Sequence, residues 1–489
     1  MPNVAQTYDA SNLRNHSLNT AVGLTIIQDT NIPKAVYRYD NPNTVGTTKG
    51  HGTFIVAPNY QGGNVVVRVQ YRESNNSGSL TGTQLNGCVV KDGDALTAGT
   101  TLNLSAASVT VPGTAGNIGE LVYTFTTGFT AGTMHFVPFF IARQTTDTAG
   151  GLLDILSFEV EYAVDITFTK QYAWIPSSVW QSIGGVATLG APTNGVGGSA
   201  DRFPYTYQFP DVAGGKIGLK YTLPSTYTGN LKYYLVGWDN TASNTLTMGM
   251  AMGEAAVGGN FDPTLTRVAQ NYTISGAPVH FIIGNAGAGI AAPISPAANS
   301  TLSMQVDRDN TDSNTGIFNV FGVILEYDVF TASPSPVIQF NPTSLAPPTS
   351  NAASILAIND TNNSGYLVRF TQGVVNKIAG KRQNPGTYSA GGTFVGFVKT
   401  PASSGNLKYH IEFSNPAVGT GSDPTPTVSS TVSVPVTGAN QMLRFVIDIS
   451  PGMVALDEVE AMIVREGDTD GVLGDGDYIN GWMEVAVLP

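Results

Sequence analysis

The pentapeptide Gly-Asn-Leu-Lys-Tyr occurs twice in this chain, at residues 229–233 and 405–409. Each copy follows a strand-like segment and a turn that contains proline, and a fainter version of the pattern occupies residues 52–71. Proline fixes φ at the start of a turn, and Gly-Asn supplies the positive φ that closes it. Because apolar and polar residues then alternate, the pattern predicts a β-hairpin with one buried face. The three predicted hairpins have Asn64, Asn230 and Asn406 at their turns.

Three other landmarks recur in the same order in each region. A motif with proline at its third position opens the region, an arginine is followed four or five residues later by an aspartate, and a strand-like segment closes it. This order predicts tandem triplication of one unit. The opening motifs begin at Asn31, Trp174 and Phe340, and the closing strands are predicted to bury Leu156 with Val160, Phe321 with Leu325, and Ile479 with Met483.

The length and composition favour three all-β domains. A chain of 489 residues is too long for one hydrophobic core. Charged residues make up only 12%, and 56 glycines and 28 prolines separate short apolar runs, which predicts many strands and turns. We predict a polar N-terminal arm over residues 1–30, followed by β-sandwich modules at 31–163, 164–328 and 329–489. Their size favours a jelly roll, with a smaller immunoglobulin-like sandwich as the alternative.

The charge and the single cysteine exclude several classes of protein. The net charge is −12 and no basic block is present, so nucleic-acid binding is not expected. No apolar run approaches the ~18 residues of a membrane span, so no membrane partner is expected either. Cys88 is the only cysteine, which rules out an intrachain disulfide and makes a buried apolar role the expected one.

The sequence carries no recognisable catalytic signature. It has no Gly-x-Ser-x-Gly nucleophile motif, and its five histidines are scattered and match no repeated landmark. The spacing of a zinc site is also missing. We therefore predict that the chain is not an enzyme and that it needs no cofactor, with calcium as the one exception considered below.

The repeated arginine and aspartate pairs predict structural clamps. A guanidinium and a carboxylate at this spacing across a loop can form a bidentate ion pair that holds the loop. Three copies in the same place favour a structural role, because a catalytic pair would be expected in one module. The predicted clamps are Arg143 with Asp147, Arg308 with Asp312, and Arg465 with Asp470.

One acidic loop is a candidate metal site. Glycines separate the aspartates of "REGDTDGVLGDGDYING", so that several oxygens could converge on a hard cation such as calcium. The loop lacks the downstream glutamate of an EF-hand, and a solvated acidic turn is the alternative. The candidate ligands are Asp468, Asp470, Asp475 and Asp477.

Four aromatic residues of the second module are candidates for a glycan platform. Aromatic rings exposed on a sheet can stack on sugars, whereas rings that cover a sheet face or contact another domain are the alternative. The candidates are Trp174, Trp180, Tyr234 and Trp238.

The succession of "GGTFVGFVKTP", "GNLKY", an Arg-Asp loop and a closing strand that ends in Glu-Tyr resembles the β-sandwich modules of tailed-bacteriophage virion proteins. The third copy departs from this pattern, since Val485 replaces the tyrosine. The resemblance implies a non-enzymatic structural protein of capsid-decoration, head-fibre or tail-fibre type. It also implies a location in the virion after assembly in the host cytoplasm, and contacts with other virion proteins and with itself, in a trimeric or pseudo-threefold arrangement.

A second class of function stays open at this point. A glycan-binding adhesin or receptor-binding protein would use the aromatic candidates to hold a host-surface glycan. A polysaccharide depolymerase ranks third, because it would need clustered carboxylates that the sequence does not place.

Overall fold

The computed structural model shows a chain of antiparallel β-sheets joined by loops and short 3-10 turns. No helix among the described residues is long and apolar enough to cross a membrane. The described residues are 3–15, 22–27, 34–41, 48–80, 82–95, 99–105, 111–164, 169–184, 187–190, 206–211, 215–239, 241, 244–274, 280–284, 286–309, 311–329, 337–359, 364–383, 388–417, 419–420, 424–449 and 458–487.

Module 1 contains two facing sheets. Sheet 1a has the strand order β3-β4-β11-β6-β9, with β1 also paired to β11, and sheet 1b has the order β2-β5-β10-β7-β8. The strands are β1 (Asn3–Asp9), β2 (Arg14–Asn15), β3 (Val22–Ile27), β4 (Lys34–Tyr39), β5 (Thr48–Val56), β6 (Tyr60–Glu73), β7 (Gln84–Val89), β8 (Thr100–Ser105), β9 (Ile118–Phe125), β10 (His135–Arg143) and β11 (Leu153–Val164).

Module 2 repeats this arrangement. Sheet 2a has the order β14-β15-β23-β17-β20, with β12 on β23 and β21 on β17, and sheet 2b has the order β13-β16-β22-β18-β19. The strands are β12 (Lys170–Pro176), β13 (Gln181–Gly184), β14 (Thr188–Gly190), β15 (Thr206–Phe209), β16 (Lys216–Thr222), β17 (Tyr227–Asp239), β18 (Thr245–Ala255), β19 (Thr266–Thr273), β20 (His280–Ile283), β21 (Ile290–Ala291), β22 (Thr301–Arg308) and β23 (Phe318–Val329).

Module 3 has the same plan with a divided edge strand. Sheet 3a has the order β25-β26-β34-β28-β32, with β24 on β34, and sheet 3b has the order β27-β33-β29-β30, with β31 also on β29. The strands are β24 (Val337–Gln339), β25 (Ser354–Asn359), β26 (Ser364–Phe370), β27 (Val375–Gln383), β28 (Tyr388–Lys399), β29 (Asn406–Ser414), β30 (Thr427–Val428), β31 (Val432–Pro435), β32 (Leu443–Asp448), β33 (Glu458–Glu466) and β34 (Gly476–Val487).

The strand order identifies each module as a jelly roll. In module 1 the eight principal strands are β4 to β11, counted in chain order. The order across sheet 1a is first, eighth, third and sixth, and the order across sheet 1b is second, seventh, fourth and fifth. Modules 2 and 3 follow the same order, counted from β15 and from β26. This is the wrapped double Greek key of a jelly roll, and it confirms the predicted all-β sandwich fold.

Each module begins with a strand that pairs with its own last strand. β1 pairs with β11, β12 with β23 and β24 with β34, and a 3-10 turn follows each opening strand. The opening strands start at Asn3, Lys170 and Val337, so both intervals between them are 167 residues. The segment 1–30 predicted as an arm thus contains β1, β2 and β3, which belong to the sheets of module 1.

The sandwich interiors follow the predicted alternation. Val65, Val67, Val69 and Tyr71 of β6 are fully buried, as are the alternate residues of β29 from Leu407 to Ile411. β-branched and aromatic residues of this kind suit a pleated surface with one face in the core. Burial of such apolar surface provides the main stabilisation of each module in a chain without disulfides.

Two alignments made from the sequence are wrong. Asn230 lies in the third principal strand of module 2, on sheet 2a, whereas Asn406 starts the fourth strand of module 3, on sheet 3b. The repeated pentapeptide therefore marks two different hairpins, because a proline turn and an alternating strand do not specify which sheet the strand joins. The motif predicted to open module 1 at Asn31 starts outside the described residues, and the counterpart of the motifs at Trp174 and Phe340 is instead β1 with its 3-10 turn.

The closing strands also correct part of the predicted core. Val160, Leu325 and Met483 lie in the cores as expected, but Leu156, Phe321 and Ile479 do not. At each of these three residues the pairing with the neighbouring strand skips one position. Such a β-bulge turns one side chain to the other face of the sheet, and here it directs an apolar residue out of the sandwich in all three modules.

Candidate functional site

The three predicted clamp arginines lie at the same place in the fold, at or near the end of the seventh principal strand. In module 3, Arg465 donates from Nε to Asp470 Oδ2 at 2.8 Å and from its two terminal nitrogens to the carbonyls of Phe370 and Gly474 at 2.8 and 2.9 Å. Both members of the ion pair are fully buried. The guanidinium thus ties its own strand to the end of β26 and to the loop before β34.

Module 2 repeats this arrangement. Arg308 donates to the carbonyl of Phe209 at 3.0 Å, contacts both oxygens of Asp312 at 3.2 and 3.1 Å, and donates to carbonyls of the following loop at Asn314 and Gly316. Phe209, whose carbonyl accepts this bond, is the last residue of β15, just as Phe370 is the last residue of β26. The two arginines therefore perform the same local task at one end of each sandwich.

Module 1 differs in its acidic partner. Arg143 lies 3.9 Å from Asp147 but 3.1 Å from Glu73, while Asp147 accepts from the backbone of Gly82 at 2.6 Å and from Thr83 Oγ1 at 2.8 Å. Glu73 ends β6 and was not singled out in the sequence, because nothing in its local pattern distinguishes it from a surface glutamate. Two buried carboxylates here share one guanidinium.

This crowding has an electrostatic consequence. Burial raises the pKa of Glu73 to about 7, and the attraction of Arg143 offsets only part of that shift. Burial also lowers the pKa of Arg143. The Glu73 and Arg143 pair is therefore held by the surrounding packing at a cost in desolvation, as expected for buried ion pairs.

We expect Glu73→Gln to change the pH dependence of stability. Because folding raises the pKa of Glu73 from 4.5, its contribution to stability is complete below about pH 4.5 and is lost as the pH rises through about 7. Relative to the parent, the variant should gain about 3 kcal/mol of stability between about pH 4.5 and pH 8. Urea denaturation across this pH range measures the difference. The exposed Asp468→Asn is the control, and a parallel pH profile for parent and E73Q would contradict the prediction.

The candidate metal ligands have basic or backbone partners. Asp470 pairs with Arg465, Asp477 is 2.8 Å from Arg369, and Asp475 accepts from the backbone of Gln372 at 3.0 Å and lies 3.6 Å from Arg369. Within the described part of the chain no group of three or more His, Cys, Asp or Glu is placed to hold a metal ion. The arginines neutralise the carboxylates that were expected to converge on calcium, and Asp468 stays exposed.

The aromatic candidates are buried, which corrects the prediction of an exposed glycan platform. Trp180 lies in the core of module 2, and Trp174, Tyr234 and Trp238 belong to a cluster shared with module 1. None of the four is more than 9% exposed. The structure supports the alternative roles, which are a position in the core for Trp180 and a contact with module 1 for the other three.

Aromatic rings form the interface between modules 1 and 2. Phe136 of β10 packs against Trp174, Phe281 and Phe321 of sheet 2a, with ring centroids 5.5, 6.4 and 4.8 Å away. Trp174 also donates from its indole nitrogen to Thr53 Oγ1 across the interface at 3.2 Å. Sheet 1b therefore packs its outer face on the outer face of sheet 2a.

The interface between modules 2 and 3 has the same orientation. β16 of sheet 2b lies against β26 and β34 of sheet 3a. The fully buried Trp482 stacks on Phe397 at 5.2 Å, and Phe261 lies in the same cluster. The ammonium groups of Lys220 and Lys399 lie 3.9 and 4.1 Å from the centre of the Phe261 ring, which adds cation–π attraction.

The third interface joins module 3 back to module 1. β27 of sheet 3b lies against β1, β4 and β11 of sheet 1a. Ile118 donates to the carbonyl of Thr420 at 3.0 Å and accepts from the amide of Gly419 at 2.7 Å. Since sheet b of each module contacts sheet a of the next, the three modules form a closed ring with pseudo-threefold order. Heterologous contacts close into a ring only when the rotation per unit allows it.

A glycine recurs at each interface. It follows the fourth principal strand of each module, as Gly93, Gly258 and Gly419, with φ of +84°, +80° and +89°. Its amide donates a hydrogen bond to a backbone carbonyl of the next module, in the sixth strand or at the residue just before that strand. The acceptors are Phe281 and Met442 at 3.0 and 2.7 Å, and Ile118 at 2.7 Å. Glycine adopts this conformation without strain, so three loops of different sequence make the same contact.

Comparison with known proteins adds no family. No protein-family model matches the chain, and no curated protein matches it. Many solved structures show a likeness to it, among them the following three. A family 61 carbohydrate-binding module in complex with β-1,4-galactotriose is 14% identical, with 29% of this chain and 87% of the module covered and a TM-score of 0.20. A triple jelly-roll protein of archaeal-virus turret assembly is 10% identical, with 97% and 96% covered and a TM-score of 0.19.

The third likeness is to a structure of the Gx strain of infectious bursal disease virus, at 9% identity, with 98% of this chain and 80% of that chain covered and a TM-score of 0.18. Scores this low support no conclusion about function. The jelly-roll assignment rests on the strand order of the chain itself.

Proposed function

We propose that this chain is a non-enzymatic structural component of a virus particle, a preassembled ring of three jelly rolls that acts as one building block. The observation that carries the proposal is the repeated contact of sheet b on the next sheet a, which recurs at all three interfaces. Jelly rolls are building units of viral capsids and of lectins. The fold alone does not separate these roles, so the argument rests on the ring.

Fusing three modules in one chain suits such a role. Each module meets its neighbours at an effective concentration set by the short connections between modules and not by the concentration of free protein. The buried clamps hold one end of each sandwich, where loops would otherwise be free to move. A ring of this kind forms in fixed 1:1:1 proportion and presents a constant outer surface to other virion proteins.

The finer assignment to a tailed bacteriophage, as a capsid-decoration, head-fibre or tail-fibre protein, is supported by the sequence resemblance of the repeated modules. It places the chain in the virion after assembly in the host cytoplasm. It also gives other virion proteins and further copies of the chain as its partners.

Mass spectrometry and electron microscopy of purified particles test the proposal. We expect the chain to migrate with particles through a density gradient, and to account for a three-lobed feature that disappears when its gene is deleted. Deletion mutants whose gradient-purified particles have an unchanged protein composition and unchanged density would overturn the proposal. A glycan array run with the pure protein provides the counter-test, because saturable polysaccharide binding without particle association would favour an adhesin.

A further inference from the structure

The interface between modules 3 and 1 differs from the other two in its covalent setting. Five residues separate β11 from β12 and seven separate β23 from β24, so modules 1 and 2 and modules 2 and 3 are held close by the chain itself. Modules 3 and 1 are not consecutive in the chain, so no short connection joins them. Their contact is maintained only by the interface, and opening it leaves both other interfaces intact.

The 3–1 interface also differs in chemistry at equivalent positions. One position in the last strand of each module shows this. It lies two residues before Glu161, Glu326 or Glu484, and it is occupied by Glu159, Ile324 and Trp482, all fully buried. Ile324 and Trp482 belong to the apolar clusters of the 1–2 and 2–3 interfaces. Module 1 has a carboxylate there, with the guanidinium of Arg68 3.9 Å away.

The facing strand of module 3 is charged as well. Lys381 of β27 is 3% exposed and stands directly opposite Glu460 in the register of sheet 3b. Ile378 lies in the core, so alternation places Lys381 and Ala379 on the outer face of the sheet. Two small apolar clusters without aromatic rings lie on the outer faces of these sheets. Leu156, Val36 and Ile118 form the one on sheet 1a, and Ala379, Met462 and Val464 form the one on sheet 3b.

This difference sets the order in which the interfaces open. Burial of apolar and aromatic surface stabilises a contact in proportion to the area removed from water. Burial of charged groups carries a desolvation cost that their mutual attraction offsets only in part. Exposure to water therefore costs less free energy at the 3–1 interface than at the aromatic 1–2 and 2–3 interfaces.

We propose that the 3–1 interface is an exchangeable docking surface, at which module 3 of a second copy of this chain takes the place of the chain's own module 3. The occupant follows from the geometry. The contact is heterologous, so the outer face of sheet 1a fits the outer face of sheet 3b in any copy. Closure within one chain dominates in dilute solution, and exchange between copies grows where copies are crowded together.

Hydrogen exchange on the intact protein tests the first half of this proposal. Each interface has its own reporter amides, namely Ile118 and Gly419 at the 3–1 interface, Gly258 and Met442 at the 2–3 interface, and Gly93 and Phe281 at the 1–2 interface. We expect the amides of the 3–1 interface to exchange at least about tenfold faster than the other four, which reports an equilibrium constant for opening that is at least about tenfold larger. Equal or slower exchange at Ile118 and Gly419 would overturn the proposal.

Native mass spectrometry of mixed isotopic copies tests the second half. Unlabelled and ¹⁵N-labelled protein are mixed at high concentration, warmed and returned to low temperature, and we expect dimers of mixed mass. Glu159→Ile with Lys381→Met replaces one buried acid and one buried base with apolar side chains. The interface should then open less often, so mixed dimers should form at least about tenfold more slowly.

The control removes one acid and one base elsewhere. Arg267→Met with Asp307→Asn acts on a partly exposed pair on sheet 2b and should leave exchange unchanged. Absence of mixed dimers in the parent, or undiminished exchange in E159I/K381M, would overturn the proposal. The pure protein is used throughout, so these results are independent of any association with particles.

Discussion

Replacement of Arg465 by leucine lowers the stability of module 3 by about 3–5 kcal/mol, the usual cost of leaving one partner of a buried ion pair uncompensated. The change deprives Asp470 of its partner at 2.8 Å and removes the donors of two backbone carbonyls, at Phe370 and Gly474. Both charged side chains are fully buried, so water cannot replace the lost contacts. Hydrogen exchange of the β33 amides should accelerate by about two to three orders of magnitude.

The control for this prediction is an ion pair of arginine and aspartate on the surface of module 2. Arg267 contacts both oxygens of Asp307, yet its side chain is 40% exposed. Arg267→Leu should therefore cost less than about 1 kcal/mol. In the double variant R465L/D470N the loss should be smaller than in R465L, because no buried charge remains. Similar losses for R465L and R267L would show that the clamp is not a structural tie.

Replacement of Trp482 by alanine is the second large effect. The indole is fully buried in the 2–3 interface and stacks on Phe397 at 5.2 Å. Removing it leaves a cavity between two modules, and large-to-small changes of this kind cost about 3–5 kcal/mol. Amide exchange at Gly258 and Met442, which bond across this interface, should accelerate together with that of β34.

Val446→Ala provides the matched control, since Val446 lies on β32 of the same sheet but is 41% exposed. Its cost should stay within about 0.5 kcal/mol. Unchanged exchange at Gly258 and Met442 in W482A would mean that module 3 is held to module 2 by its linker and not by this contact.

The sequence predicted the strands well because alternation is a local property. Val65 to Tyr71 and Leu407 to Ile411 are buried as their period of two required. The repeated arginines also occupy equivalent places in the fold, since their spacing from the closing strand is encoded in the chain. The shared pentapeptide led to a wrong alignment of Asn230 with Asn406. An identical local sequence does not determine which sheet a strand joins.

The candidate sites depended on contacts that are distant in sequence. Glu73 reaches Arg143 across 70 residues, and no local pattern marks it as a partner. The aromatic candidates could be assigned to a free surface or to a contact. The packing of sheet 1b on sheet 2a decides this for Trp174, Tyr234 and Trp238, and the core of module 2 encloses Trp180. The bulge residues Leu156, Phe321 and Ile479 were assigned to the core because a strict period of two does not reveal a skipped position.

The amino-acid order alone determined that three related β-modules follow one another, since turns, alternation and repeated landmarks act over short stretches of chain. Which strands share a sheet, which faces meet and where the ring closes were decided by the tertiary structure. Those choices depend on side chains such as Ile324 and Trp482, whose surroundings include residues of a neighbouring module. A residue's environment across an interface is a property of the assembled surface, and the local sequence does not carry it.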